Sequence, residues 1–220
     1  MLGRTEPEVM LRRTGAGPDF SLESRAGGLV CGIDEAGRGP WAGPVFAAAV
    51  ILDPAAIPLG LDDSKRLSAK RRDVLFAALL DCALIGIGTA SVAEIETHNI
   101  LQASFLAMRR AVGGLGALPE SALVDGNRIP AGLPCQAEAV IGGDGRCLSI
   151  AAASIVAKVT RDREMVALAQ QFPGYGWETN MGYGTKAHLE GLRKHGVTQH
   201  HRRGFRPIHN MLCEQGALSG

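Results

Sequence analysis

Apolar positions come in short unbroken runs through the first part of the chain and in helical periods through the last. Residues 29–34 form a brief apolar run that closes on Asp34 and Glu35. Gly37 to Gly43 then supply a turn, and 44–52 is apolar enough for a strand buried on both faces. Ser68 is a candidate cap for a helix reaching about Asp81, and 83–91 reads as a third strand. An irregular helical stripe follows over 93–112, with apolar side chains at 95, 101, 105, 106, 108 and 112. Two short strands come next: 122–125, ending on Asp125, and 137–141, followed by Gly142, Gly143 and Asp144. Helices are predicted over 149–171, 185–195 and 207–213. Residues 1–28 carry Gly3, Gly15, Gly17, Gly27 and Gly28 with scattered charge and no period. They are expected to be a loosely ordered lead-in, leaving 29–213 as one domain. Five strands with helices between and after them predict an α/β mixed sheet.

Composition narrows the class. With 46% hydrophobic and 20% charged residues, the 220-residue chain is an ordinary globular sequence, long enough for a sizeable core. The longest apolar run, 42–52, is interrupted by Gly43 and Pro44 and falls short of the ~20 residues of a membrane span. The first residues mix charges and lack the apolar stretch of a secretory signal. Five cysteines without a C-x-x-C pair read as a reduced, cytoplasmic chain. The net charge of +1 hides an asymmetry. Residues 1–150 carry 14 basic and 17 acidic side chains, whereas 158–206 carry 9 basic and 4 acidic. That division suits a polyanion held beside clustered carboxylates, or else a solvated basic helix face.

Three of the strands are expected to end in acid, at Asp34-Glu35, Asp125 and Asp144. On one sheet edge these four carboxylates would repel one another unless divalent cations neutralised them. An all-oxygen donor set calls for Mg²⁺ or Mn²⁺ and argues against zinc. Neighbouring strand residues point to opposite faces, so the first strand is expected to end or bulge at 34–35. Gly37-Arg38-Gly39 is not a dinucleotide loop, because the next glycine falls at 43 and Pro40 and Trp41 stand where a helix would begin. It is a glycine-rich hairpin or a backbone that approaches a ligand closely. Ser154, Lys158 and Arg161 share one helix face, with Asp162 spaced to pair with Lys158. Tyr183 sits between glycines ahead of a run rich in Lys, Arg and His, either as a core anchor or as a ring that stacks on a base or sugar.

Six segments together resemble ribonuclease HII: GIDEAGRGP at 32–40, DSKRLS at 63–68, LVDGN at 123–127, AASIVAKVTRD at 152–162, GYGTKAHL at 182–189 and HHRRGF at 200–205. The resemblance runs in order from about Leu29 to Pro207. It implies an RNase H-like mixed five-stranded sheet flanked by helices, with a small helical C-terminal extension. The implied activity is cleavage of the RNA strand of RNA–DNA hybrids, and incision 5′ to single ribonucleotides in duplex DNA. By the same resemblance Asp34, Glu35, Asp125 and Asp144 are the catalytic and metal-binding acids, with Asp34 bridging two Mg²⁺ or Mn²⁺ ions. Gly37, Arg38 and Gly39 would contact the 2′-OH and flanking backbone, and Tyr183 the ribonucleotide junction. Ser64, Lys65, Ser154 and Lys158 would contact phosphate. Many members carry Lys before Gly-Tyr, where this chain has Met181. Two rivals are another RNase H-like nuclease acting on DNA and a non-catalytic hybrid-binding module. The chain is expected to be a monomer without a membrane partner.

Overall fold

A computed structural model describes residues 17–217. Its five-stranded sheet comprises β1 (Val30–Ala36), β2 (Val45–Leu52), β3 (Ala83–Ala90), β4 (Ser121–Asp125) and β5 (Gln136–Val140). The strand order is β3-β2-β1-β4-β5. β1 and β3 run antiparallel to β2, whereas β4 runs parallel to both β1 and β5. The helices are α1 (Ser21–Ala26), α2 (Ala69–Cys82), α3 (Val92–Gly113), α4 (Leu148–Gln171), α5 (Trp177–Asn180), α6 (Lys186–His195) and α7 (Arg206–Ala217). Among the described residues no helix is long and apolar enough to cross a membrane.

The period of two along β2 sorts the core into two layers. Val45, Ala47, Ala49 and Ile51 join Cys31 and Ile33 against α3, while Ala48, Val50 and Leu52 pack with α4 and α2. Every residue of β2 is buried, as its uninterrupted apolar run requires. α4 lies so close to β1 that a Cβ on Gly32 would strike the main chain of Ser149 and Ile150.

The structure corrects several expectations. β1 neither ends nor bulges at Asp34-Glu35: it stays regular to Ala36, with Asp34 opposite Ala48 and Glu35 opposite Ala47. β5 stops at Val140, so Asp144 lies beyond a strand end in a 3-10 turn, Gly143–Gly145. The lead-in assigned to 1–28 holds for no part of 19–26: Asp19 bridges Cys147, and α1 carries the buried Glu23. Cys147, which precedes α4, gives that helix no side-chain cap, and Glu23 Oε1 takes the role by accepting the Ser149 N–H at 2.7 Å. Residues 1–16 of that lead-in lie outside the described residues. The irregular stripe of α3 has a cause in Asn99. Its φ of 66° breaks the helix, and its side chain accepts the Leu101 and Gln102 N–H groups to restart it.

Candidate active site

β4 follows β1 only as far as the pair Ile33–Val124, leaving Asp34, Glu35 and Ala36 to run on past that ladder. By strand alternation Asp34 sits on the α4 side, and Glu35 follows Cys31 and Ile33 toward α3. Two consecutive acids thus flank one strand edge. Asp125 is the last residue of β4, and its Oδ1 accepts the Gly143 N–H at 2.7 Å, which ties β4 to the turn that carries Asp144.

The carboxylates feel one another. Burial, then Glu35 and Asp125, push Asp34 well above the usual carboxylate range, against the pull of the Glu35 N–H and the Ser154 hydroxyl. Burial also raises Glu35, opposed first by Arg38, whose guanidinium lies 3.3 Å from its Oε1. Asp144 is raised by burial and by Asp125 and Asp63, with Lys65 opposing at 3.7 Å. For Lys65 burial works against the ammonium, but Asp63, Asp144, Asp34 and Asp125 outweigh it and raise its pKa. An excess of negative charge this concentrated fits hard divalent cations. Among the described residues no three carboxylate, imidazole or thiolate side chains are gathered tightly enough to form a ready-made cage. The acids lie near the end of β1, close enough to raise one another's pKa values without meeting in one cluster.

A cleft of about 300 Å³ collects nearly all of the residues singled out in the sequence: Asp34, Glu35, Gly37, Arg38, Gly39, Ser64, Lys65, Ser154, Lys158 and Tyr183. The Ser154 and Ser64 hydroxyls are hydrogen-bonded at 2.8 Å, and the Lys158 ammonium donates to Asp162 at 2.6 Å, the helical ion pair its spacing allowed. Asp125 instead lines a second cleft of about 320 Å³ with Glu35, Arg38 and Arg128, on the α3 side. Tyr183 is 48% exposed, so it is not a core anchor. The segment around it is held close to residues 41–42. The Trp41 N–H donates to the Gly182 carbonyl at 2.8 Å, and a Cβ on Gly184 would strike the Trp41 ring.

Two basic residues do not face solvent as the charge pattern implied. Arg161 and Arg202 are 1% and 0% exposed and spend their guanidinium N–H groups on main-chain carbonyls. His188 and His201 are buried as well, beside Trp177. Asp63 joins the acidic neighbourhood; its position directly before Ser64-Lys65 was the available signal.

A model of the family described as ribonuclease HII matches residues 31–209. A ribonuclease HII from Jannaschia sp. is 61% identical over 197 residues, covering 90% of this chain and 99% of its own. Among solved structures, the ribonuclease H2 of Pyrococcus horikoshii superposes with a TM-score of 0.73 at 28% identity, covering 84% of this chain and 97% of its own. The RNase HIII named Bst-RNase HIII, solved in complex with Mn²⁺, shares the fold with a TM-score of 0.68 at 20% identity, covering 84% and 70%.

Proposed function

The chain belongs to the ribonuclease HII family and is a ribonuclease H, and from that premise we propose a more specific activity. It hydrolyses the RNA strand of RNA–DNA hybrids and incises 5′ to single ribonucleotides embedded in duplex DNA, leaving 3′-OH and 5′-phosphate ends. The observation that carries this reading is the shared cleft: Asp34 and Glu35 border the same opening as the Gly37–Gly39 turn and Tyr183. Acids for phosphodiester hydrolysis thus sit beside groups suited to recognising a sugar.

In this reading Asp34, Glu35, Asp125 and Asp144 would hold two divalent ions, Mg²⁺ or Mn²⁺. The all-carboxylate donor set and its raised affinity for protons support that assignment. The Mn²⁺ in the related RNase HIII structure is of the same class. When bound, such ions lower the pKa of water and stabilise charge on phosphodiester oxygens. The protein's own part is alignment. Ser64, Lys65, Ser154 and Lys158 offer two hydroxyls and two ammonium groups to the phosphates along the cleft. Lacking side chains at two of its three positions, the Gly37–Gly39 turn lets main-chain groups approach the 2′-OH that separates RNA from DNA. Tyr183 stacks on the neighbouring sugar or base. Arg38, whose guanidinium lies 3.3 Å from Glu35, would offer it to the substrate backbone as well. All of these groups come from one chain, consistent with a monomer, and the proposed place of action is the cytoplasm.

The test is cleavage of three duplexes, with Mg²⁺ or Mn²⁺ and with chelator. An RNA–DNA hybrid and a DNA duplex with one ribonucleotide should be cut only with metal, and an all-DNA duplex left intact. Cutting of the all-DNA duplex would favour a DNA nuclease of the same fold, and tight hybrid binding without any cutting a binding module.

A further inference from the structure

Arg161, on α4, and Arg202, in the segment before α7, both reach back from the C-terminal third of the chain to the stretch 37–44. Arg202 donates through Nη2 to the Gly37 carbonyl at 2.6 Å and through Nη1 to that of Arg38 at 2.9 Å. Its Nε and Nη2 reach the Gly43 carbonyl at 3.0 and 2.8 Å. Arg161 takes the next carbonyls, Ala42 at 3.2 Å and Pro44 at 3.1 Å, and with Nη1 spans to Met181 at 3.0 Å. Met181 is two residues before Tyr183. One arginine therefore gathers the carbonyls of the glycine turn, and the other fastens the far end of that turn to the segment that presents the tyrosine.

This arrangement is costly unless it serves a purpose. Neither guanidinium forms an ion pair with a carboxylate among the described residues, so two like charges are buried side by side on carbonyl dipoles, with the Phe205 ring 5.2 Å from the Arg202 guanidinium. Burial lowers the pKa of Arg161 to about 10 and that of Arg202, with Arg161 adding repulsion, to about 9, and both stay charged at neutral pH. Gly37 is shaped to the clamp. Its φ is 97°, and a Cβ there would strike the Arg161 side chain. With the Gly37 and Arg38 carbonyls drawn inward, the Arg38 and Gly39 N–H groups are left without an acceptor among the described residues. The Tyr183 ring lies 3.5 Å from where a Gly39 Cβ would stand.

We infer that Arg161 and Arg202 are positioning residues that set discrimination for a ribonucleotide, by locking the Gly37–Gly39 turn and Tyr183 into one rigid reader. The inference rests on the proposed reading of the turn and the tyrosine. A continuous hybrid offers a 2′-OH at every register, so a displaced reader still finds a target by sliding. A lone ribonucleotide offers one register, and there misalignment is felt in full.

The experiment compares the full-length parent with Arg202→Lys and Arg161→Lys, well below their melting temperatures. It measures kcat/KM on the single-ribonucleotide duplex, the long hybrid and the all-DNA duplex. Lysine keeps the charge and loses the fork. The ratio of single-ribonucleotide to hybrid cleavage should fall roughly ten-fold or more in each variant, the scale of one hydrogen bond to a charged group. Leu79→Ala, a buried core change remote from the cleft, serves as the control: it should lower the melting temperature and leave the ratio unchanged. Unchanged ratios in both lysine variants overturn the inference, as does a matching fall in Leu79→Ala. Failure of both lysine variants to fold would assign the arginines to the framework alone and overturn it too. If the parent itself cuts the all-DNA and single-ribonucleotide duplexes alike, the underlying reading falls first, a result distinct from any of these.

Discussion

His188 and His201 meet Nε2 to Nε2 at 3.1 Å in the interior, beneath the segment that carries Tyr183. Their protons can be assigned from their neighbours. His201 Nδ1 accepts the Thr198 N–H at 2.9 Å, so its proton is on Nε2 and is donated to His188 Nε2, which also accepts the Trp177 indole N–H at 3.1 Å. His188 Nδ1 in turn donates to the Tyr183 carbonyl at 2.9 Å. The network works only with both rings neutral. Burial, then the repulsion a protonated His188 would exert, lowers the pKa of His201 to about 3, and burial lowers that of His188.

A pH dependence of stability follows from that network. Between about pH 6.5 and 3 the unfolded chain takes up a proton at His201 that the folded chain refuses. The stabilisation from neutral His201 is therefore present above 6.5 and drains away as pH falls, at up to about 1.4 kcal/mol per pH unit. The raised carboxyl pKa values of Asp34, Glu35 and Asp144 act in the opposite sense. The readout is accordingly the difference between the thermal unfolding profiles of the parent and His201→Gln. That difference should shrink on acidification. A constant gap from pH 7 to 4 would mean His201 takes up its proton as readily in the folded protein as in the unfolded chain.

Asp34→Asn should reduce cleavage at least about a hundred-fold and raise the melting temperature in chelator, since it removes a buried charge that its neighbours repel. Calorimetry in chelator and single-turnover assays check both halves. A lowered melting temperature would contradict the electrostatic account of the site.

Tyr183→Ala should weaken cutting at a single ribonucleotide by the ~1–3 kcal/mol of one stacked base, with metal affinity unchanged. Tyr183→Phe should keep most of the activity under the proposed stacking role, and loss of activity would show that the hydroxyl is essential. Metal titration in parallel with kinetics on the single-ribonucleotide duplex separates the two contributions.

Binding of a hybrid should weaken steeply with salt, and Lys158→Gln should lower the log–log slope by about 0.9, one phosphate contact. An unchanged slope would leave Lys158 to its ion pair with Asp162 alone.

Glu23→Ala should cost roughly 1–3 kcal/mol of stability by stranding the Ser149 N–H and the Cys147 thiol inside the protein. Activity per folded molecule should stay at the parental level. Denaturant unfolding at constant m-value tests the first statement, and active-site titration the second.

The element map was largely legible because β2 is an unbroken apolar run bounded by turn residues and α4 a long helical segment, and the glycine turn and Tyr183 stood out through their spacing. What escaped has physical causes. Asp34-Glu35 looked incompatible with a regular strand only because one face was assumed to hold the site, whereas the acids straddle the end of the β1–β4 ladder. Arg161 and Arg202 read as surface cations because their partners are carbonyl oxygens, which leave no mark in a sequence. The capping role of Glu23 was hidden for a similar reason, since its acceptor works across 126 positions. The break at Asn99 left a trace in the disordered spacing of the α3 stripe, but not its cause.

The order of the sheet also bears on when the chain becomes a nuclease. β1 and β2 form from neighbouring sequence, so Asp34 and Glu35 are presented by a local hairpin, a contact of low entropic cost. Asp125 arrives only when Val30 finds Ser121 in a parallel ladder, and the glycine turn is clamped only once Arg202 exists to clamp it. Long-range parallel pairing is the slow kind. Cleavage competence is thus a late acquisition of the growing polypeptide, gained after the hairpin that displays its first two acids.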